Sequence, residues 1–283
     1  MTDQPGRIMR MIYGVVDEQA ALEVADWFGR LLDITDWERV APTGDTAAES
    51  ALVSASAGIE YQFPAASTGF RALVFGVADL GETCARLAGR GRAATTIEAA
   101  GAGGAPVAMA TLREPVGGID LHLCALPADA VVVGREGRRN VGRIDHAVFL
   151  HEGFDELVRA RAELREVLAI EDWDDYGTLE KQGIRVQVSW GSGIELLCPV
   201  RSGTVFTEMI AERGMQLASM VIGVQDLDAA MARSAELGRP LTETTFDPAP
   251  PQGLVDRFEV SREVHIGPFA GEKVVLGEFK DRT

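Results

Sequence analysis

The chain is short of cysteine, of basic residues and of long apolar runs. Among its 283 residues are three cysteines, Cys84, Cys124 and Cys198, with no CxxC spacing. So sparse and odd a set excludes a disulfide framework and a zinc knuckle. No apolar run approaches the ~18 residues a membrane span needs. The opening MTDQPGRIMRM lacks the apolar core of a secretory signal, so a cytoplasmic protein is expected. Basic residues number 27 against 43 acidic, a net charge of −16. A surface this acidic repels phosphate, which argues against nucleic acid and anionic membrane as partners. The partner expected is a small-molecule substrate, neutral or cationic; a homo-oligomer is left open. Hydrophobic residues at 46% and charged residues at 25% are ordinary for globular proteins, which sets disorder and coiled coil aside. The length suits about two domains.

What the chain does have is an internal repeat. Four segments begin alike: RMIYGVVDEQAALEVADWF from Arg10, ALVFGVADLGETCARLAG from Ala72, HAVFLHEGFDELVRARAEL from His146 and SMVIGVQDLDAAMARSAELG from Ser219. Each reads as an apolar strand, a turn and an amphipathic helix. In the third, Phe154, Leu157, Val158, Leu164, Val167 and Leu168 recur at helical spacing; in the first, Leu22, Ala25, Trp27, Phe28 and Leu31 do so. The segment ends also match. GIEYQFP (Gly58–Pro64), GIDLHLC (Gly118–Cys124) and GIELLCP (Gly193–Pro199) carry Glu60, Asp120 and Glu195 at one place, and KVVLGEF (Lys273–Phe279) offers Glu278. From first-strand to last-strand position the spacings are 50, 48, 49 and 59 residues. With two further strands between helix and end, the unit is βαβββ, four times over. The fourth is longer through TFDPAPPQGLVDRF (Thr245–Phe258), read as a loop insertion and expected to cover a barrel mouth. PADAVVVGREGRRNVG (Pro127–Gly142) separates the second unit from the third and is read as a linker. The domains expected are residues 1–126 and 143–283.

Tandem βαβββ units, one opening on IDHAVF and closing on GIELLCP, resemble the vicinal oxygen chelate superfamily. That group holds glyoxalase I, extradiol ring-cleaving dioxygenases, epimerases, isomerases and bleomycin-resistance binding proteins. The resemblance covers nearly the whole chain, and its specific part is the His146…Glu195 pair. It implies an α+β fold in which paired units curl into two open, glyoxalase-like barrels. It also implies a divalent metal ion (Fe, Mn, Zn, Co, Ni or Mg) held by first-strand and last-strand residues. Matched residue by residue, the first-strand positions hold Arg10, Ala72, His146 and Ser219, and the last-strand positions hold Glu60, Asp120, Glu195 and Glu278.

The N-terminal half fails as a metal site. The guanidinium of Arg10 stays protonated and has no lone pair to give, so an Arg10–Glu60 ion pair is expected there. In the C-terminal half, one imidazole and two carboxylates from His146, Glu195 and Glu278 suit a divalent ion with open positions for two substrate oxygens. Extradiol enzymes carry a second histidine where this chain has Ser219. His265, on EVSREVHI (Glu259–Ile266), is the substitute ligand or an acid–base catalyst, the latter preferred. In that strand Val260, Val264 and Ile266 alternate with Glu259, Ser261, Glu263 and His265, and the spacing does not say which face lines the barrel. His122 and His151 are given no role. The functional expectation is a ring-cleaving dioxygenase or a lyase/isomerase acting on a small oxygenated molecule. The alternative is a metal-free acidic protein that sequesters cationic drugs.

Overall fold

Three of the four repeated openings run strand–Asp–helix, and the aspartate is what starts the helix. The side chains of Asp17, Asp79 and Asp226 accept from the backbone N–H of Ala20, Glu82 and Ala229. Each cap satisfies a donor that has no partner within its helix, an effect of about 1 kcal/mol. The computed structural model describes residues 6–44, 46–100, 106–126, 141–244, 250–269 and 272–282. Of the expected linker, residues 127–140 lie outside the described residues.

The first sheet holds β1 (Arg7–Gly14), β2 (Trp37–Val40), β3 (Ser50–Ser54), β4 (Ile59–Phe63), β5 (Gly69–Val77), β6 (Ala94–Ala100), β7 (Pro106–Leu112) and β8 (Leu121–Ala125). Helices α1 (Glu18–Leu32) and α2 (Leu80–Gly89) follow β1 and β5. The second sheet holds β9 (Ile144–Leu150), β10 (Trp173–Leu179), β11 (Ile184–Ser189), β12 (Ile194–Pro199), β13 (Gln216–Gly223), β14 (Thr242–Thr244), β15 (Phe258–Phe269) and β16 (Glu272–Asp281). Helices α3 (Phe154–Leu168) and α5 (Leu227–Glu236) follow β9 and β13, while α4 (Val205–Arg213) and α6 (Gln252–Arg257) are additions to the unit. The two sheets belong to two compact units.

Both sheets have one strand order, β2-β3-β4-β1-β5-β8-β7-β6 and β10-β11-β12-β9-β13-β16-β15-β14. The first strands of paired units meet antiparallel at the centre, and each is flanked by the parallel last strand of its own unit. This is the expected α+β architecture: two curled, mixed half-barrel sheets with helices between the strands. Hydrophobic cores line the concave faces. In the first sheet Ile12, Ala72, Val74 and Met109 pack together, and in the second Val148, Val186, Trp190, Val221 and Val275 do.

The helical stripes hold with exceptions. Ala25, Trp27, Phe28 and Leu31 of α1 are buried, as are Leu157, Leu164, Val167 and Leu168 of α3. Each large side chain so covered is worth about 1.5–3 kcal/mol. Leu22, Phe154 and Val158 face out instead. Phe154 is not idle, because the Arg185 guanidinium lies 4.3 Å from its ring centroid.

Candidate functional site

The parallel registers fix which residues share a place in each unit. Met11 pairs with Ile59, Leu73 with Leu121, Ala147 with Ile194 and Met220 with Val274. One residue back on each first strand stand Arg10, Ala72, His146 and Ser219; one residue on along each last strand stand Glu60, His122, Glu195 and Val275. Alternation turns all eight toward the concave face. Two expectations are thereby corrected. In the second unit GID does not open the last strand: Val116 and Ile119 bridge to each other in a tight turn, and the Asp120 carbonyl accepts from Leu73 N–H. His122, not Asp120, takes the last-strand place. In the fourth unit that place is held by Val275, and Glu278 points the other way. Its carboxylate accepts from Leu227 N–H at 3.2 Å, pairs with Lys280 Nζ at 2.6 Å and lies 3.8 Å from Arg262 Nη1. It braces the start of α5 and does not reach His146.

In the N-terminal barrel the central pair is closed. Arg10 Nη1 donates to Glu60 Oε2 at 2.7 Å, as expected. Thr43 adds its N–H at 2.8 Å and its hydroxyl at 2.7 Å, and Gln62 Nε2 donates at 2.8 Å. Both oxygens of fully buried Glu60 are satisfied. His122 Nδ1 is 2.8 Å from Thr111 Oγ1, and burial holds its pKa below the ordinary value.

The C-terminal barrel is built differently. His146, 1% exposed, places Nδ1 2.9 Å from Asp145 Oδ1, and its Nε2 stands 3.3 Å from Glu195 Oε2. That Nε2 is buried and has no hydrogen-bond partner. Trp190 meets the imidazole edge-on with centroids 5.3 Å apart, and Phe279 leans on it at 5.7 Å. The pair opens on a cavity of about 280 Å³, whose walls include Val148, Tyr176, Val186, Leu197, Phe206 and Met209. Tyr176 is tied down, because its hydroxyl accepts from Trp190 Nε1 at 2.7 Å.

The structure also settles which face of β15 looks inward. Ser261, Glu263 and His265 line the cavity together with Ser219 and Lys273, while Val264 and Ile266 are buried on the opposite face. His265 thus shares the cavity with His146 and Glu195; burial and the neighbouring Lys273 charge lower its pKa. Glu263 is the residue that sequence reading missed. Burial pushes its carboxyl up to about 7, with Glu195 and Asp145 adding to the shift and His146 opposing it. Part of the predicted insertion reaches the same cavity, since Pro251 and Leu254 line it. Residues 245–249 lie outside the described residues.

The electrostatics of the central pair demand a positive charge. A neutral imidazole whose Nδ1–H is held by Asp145 turns a bare Nε2 lone pair on the Glu195 oxygen, which is repulsive. A proton there relieves it: burial opposes charge on His146, but the two carboxylates outweigh burial and raise its pKa to about 10. A divalent cation relieves it equally, because two ligands about 2.0–2.2 Å from one ion stand roughly 3 Å apart. A carboxylate on the remote nitrogen is also the usual support of a metal-bound histidine. His146 and Glu195 therefore fit a metal as two of its ligands. Among the described residues no third His, Cys, Asp or Glu yet converges with them.

No family model and no curated protein matches the sequence. Solved structures do. A mutant 4-hydroxymandelate synthase from Streptomyces coelicolor superposes with a TM-score of 0.67 at 16% identity, covering 99% of this chain and 94% of that one. The 2,2',3-trihydroxybiphenyl 1,2-dioxygenase of Sphingomonas wittichii gives 0.64 at 12% identity, covering 98% and 92%. A catechol 2,3-dioxygenase gives 0.57 at 12% identity, covering 99% and 90%. At these identities the likeness speaks for the fold alone. With the repeated βαβββ units and the two half-barrels, it gives the chain the fold of these structures, which is the fold that the resemblance to the vicinal oxygen chelate superfamily implies.

Proposed function

We propose that the C-terminal barrel is the active site of a divalent-metal-dependent enzyme acting on a small, largely apolar molecule through two vicinal oxygens. The observation that carries this reading is the buried His146 Nε2 held 3.3 Å from Glu195 Oε2 outside hydrogen-bond geometry, with Asp145 on the other ring nitrogen. When bound, the metal supplies Lewis acidity, steadying negative charge as it develops on substrate oxygen.

The protein residues have separable tasks. Asp145 holds the His146 ring by Nδ1 and keeps Nε2 turned inward. Trp190, Phe279, Val148 and Leu197 present an apolar bed to a planar or aliphatic substrate. Leu254 and Pro251 close one side of the cavity and exclude water, which strengthens every charge interaction inside it. His265 faces the same space and is assigned proton transfer with bound substrate. Two branches of chemistry share these parts. Similarity to two structures named as dioxygenases supports an oxygen-dependent reaction. Ser219, standing where extradiol enzymes carry a second histidine, supports redox-neutral lyase or isomerase chemistry.

Metal analysis of the purified protein beside His146→Ala tests the reading. About one divalent ion per chain, lost in the variant, is expected. Full turnover in a thoroughly chelated preparation would refute it. Oxygen uptake during turnover then separates the branches. A second reading rests on Glu195 and Glu263 standing beside Trp190 and Tyr176, a set that suits a metal-free cage for an organic cation. Micromolar binding of a cationic aromatic dye by the chelated protein would favour it.

A further inference from the structure

The superfamily-like ligand places in the C-terminal barrel are half empty. His146 and Glu195 hold two of them; Ser219 offers only a neutral hydroxyl and Val275 offers nothing. Two donors are a thin hold on a divalent ion, yet the cavity contains one more carboxylate. Glu263 enters from β15, which lies next to β16, so it stands one strand away from the vacant last-strand place. Among the described residues no hydrogen bond or ion pair engages its carboxylate. Lys273 and His146 line the same cavity without forming an ion pair with it, which leaves the carboxylate available to a bound cation.

We propose that Glu263 is the third protein ligand of the metal, supplied by β15 in place of the first- and last-strand positions held by Ser219 and Val275. This rests on the reading that the barrel holds a metal. The resulting one-imidazole, two-carboxylate set is rich in oxygen and suits Mn(II), Co(II) or Mg(II) more than a softer, nitrogen-rich site would. It also explains why the chain tolerates serine and valine at two places that face the site.

Titration of chelated protein with Mn(II) and Co(II) tests this, read by calorimetry, by quenching of the nearby Trp190 and by the visible absorption of bound Co(II). Wild type, Glu263→Gln, Glu195→Gln and Glu278→Gln are compared. Loss of an outer partner of a metal ligand already costs about 10–100-fold in affinity. Glu263→Gln should therefore weaken Mn(II) at least that much and alter the Co(II) spectrum, as Glu195→Gln does, while Glu278→Gln should change neither. Melting of metal-free Glu263→Gln should not fall, since the exchange removes a charge without a partner. Wild-type affinity and spectrum in Glu263→Gln, with loss in Glu195→Gln, would overturn the third-ligand role and leave the metal reading standing. Failure of wild type to bind either ion would overturn both.

Discussion

The two barrels share a strand order and differ at their centres. At the same register the first carries Arg10 and Glu60, and the second carries His146 and Glu195. In the first, Arg10, Thr43 and Gln62 satisfy every oxygen of the buried carboxylate. In the second, a buried ring nitrogen faces a carboxylate across 3.3 Å with no hydrogen bond between them. One scaffold thus holds its central glutamate in two ways, set by which donors surround it.

The sharpest way to break this contrast is to strike the same place in both barrels. His146→Ala should empty the metal and remove several kcal/mol of charge stabilisation, a loss of about 10³-fold or more in turnover, measured by metal content and kcat. Arg10→Ala should show up in stability instead. It leaves Glu60 as an uncompensated buried charge, a cost of about 3–5 kcal/mol in denaturant unfolding. Equal catalytic damage from both changes would end the division of labour.

A smaller effect is expected from His265→Ala. Bound metal should persist while kcat falls by about 10²-fold, the low end for loss of a general acid or base. Loss of the metal instead would make His265 a ligand. Leu254→Ala removes three buried carbons from the cavity wall. At about 0.8 kcal/mol per methylene it should raise KM by roughly tenfold or more, with kcat nearly kept.

The smallest effect concerns what the barrels have in common. Asp36 accepts from the Ser54 and Ser56 hydroxyls and from Ser56 N–H, and Asp172 repeats this with Ser189 and Gly191 N–H. Asp36→Asn and Asp172→Asn should each cost less than about 1 kcal/mol, by similar amounts. Burial raises the pKa of Asp36, but these hydrogen bonds outweigh it and hold the carboxyl below its ordinary 3.8. Its ionised form therefore stabilises the fold above that value, and the contribution disappears as pH drops through the lower folded-state pKa. The Asp36→Asn deficit should shrink in that acid range.

The repeat was legible because periodic strand openings, aspartate caps and near-constant spacing are local features. What escaped was register. Asp120 matched Glu60 and Glu195 by its GI-acid context, but the bridge between Val116 and Ile119 makes those letters a turn and starts the strand at Leu121. Glu278 matched by charge, yet parallel pairing with β13 runs from Val274 to Gly277 and turns Val275 inward. The alternation along β15 divided its two faces correctly. Which of them looks into the barrel depends on the curl of the whole sheet, and no stretch of twelve residues encodes that. Glu263 was therefore in view as a letter and hidden as a site residue.

His122 carries a consequence for how such a chain changes over generations. It sits in the N-terminal barrel at the place that Val275 holds in the other, buried and near Glu60, while Arg10 occupies the place of His146. A single exchange, Arg10→His, would set an imidazole beside Glu60 in the half that also holds His122. Internal duplication thus lets one position diverge in charge between two copies of a unit, and in the first copy the arginine that pairs with the buried carboxylate also fills the space beside it.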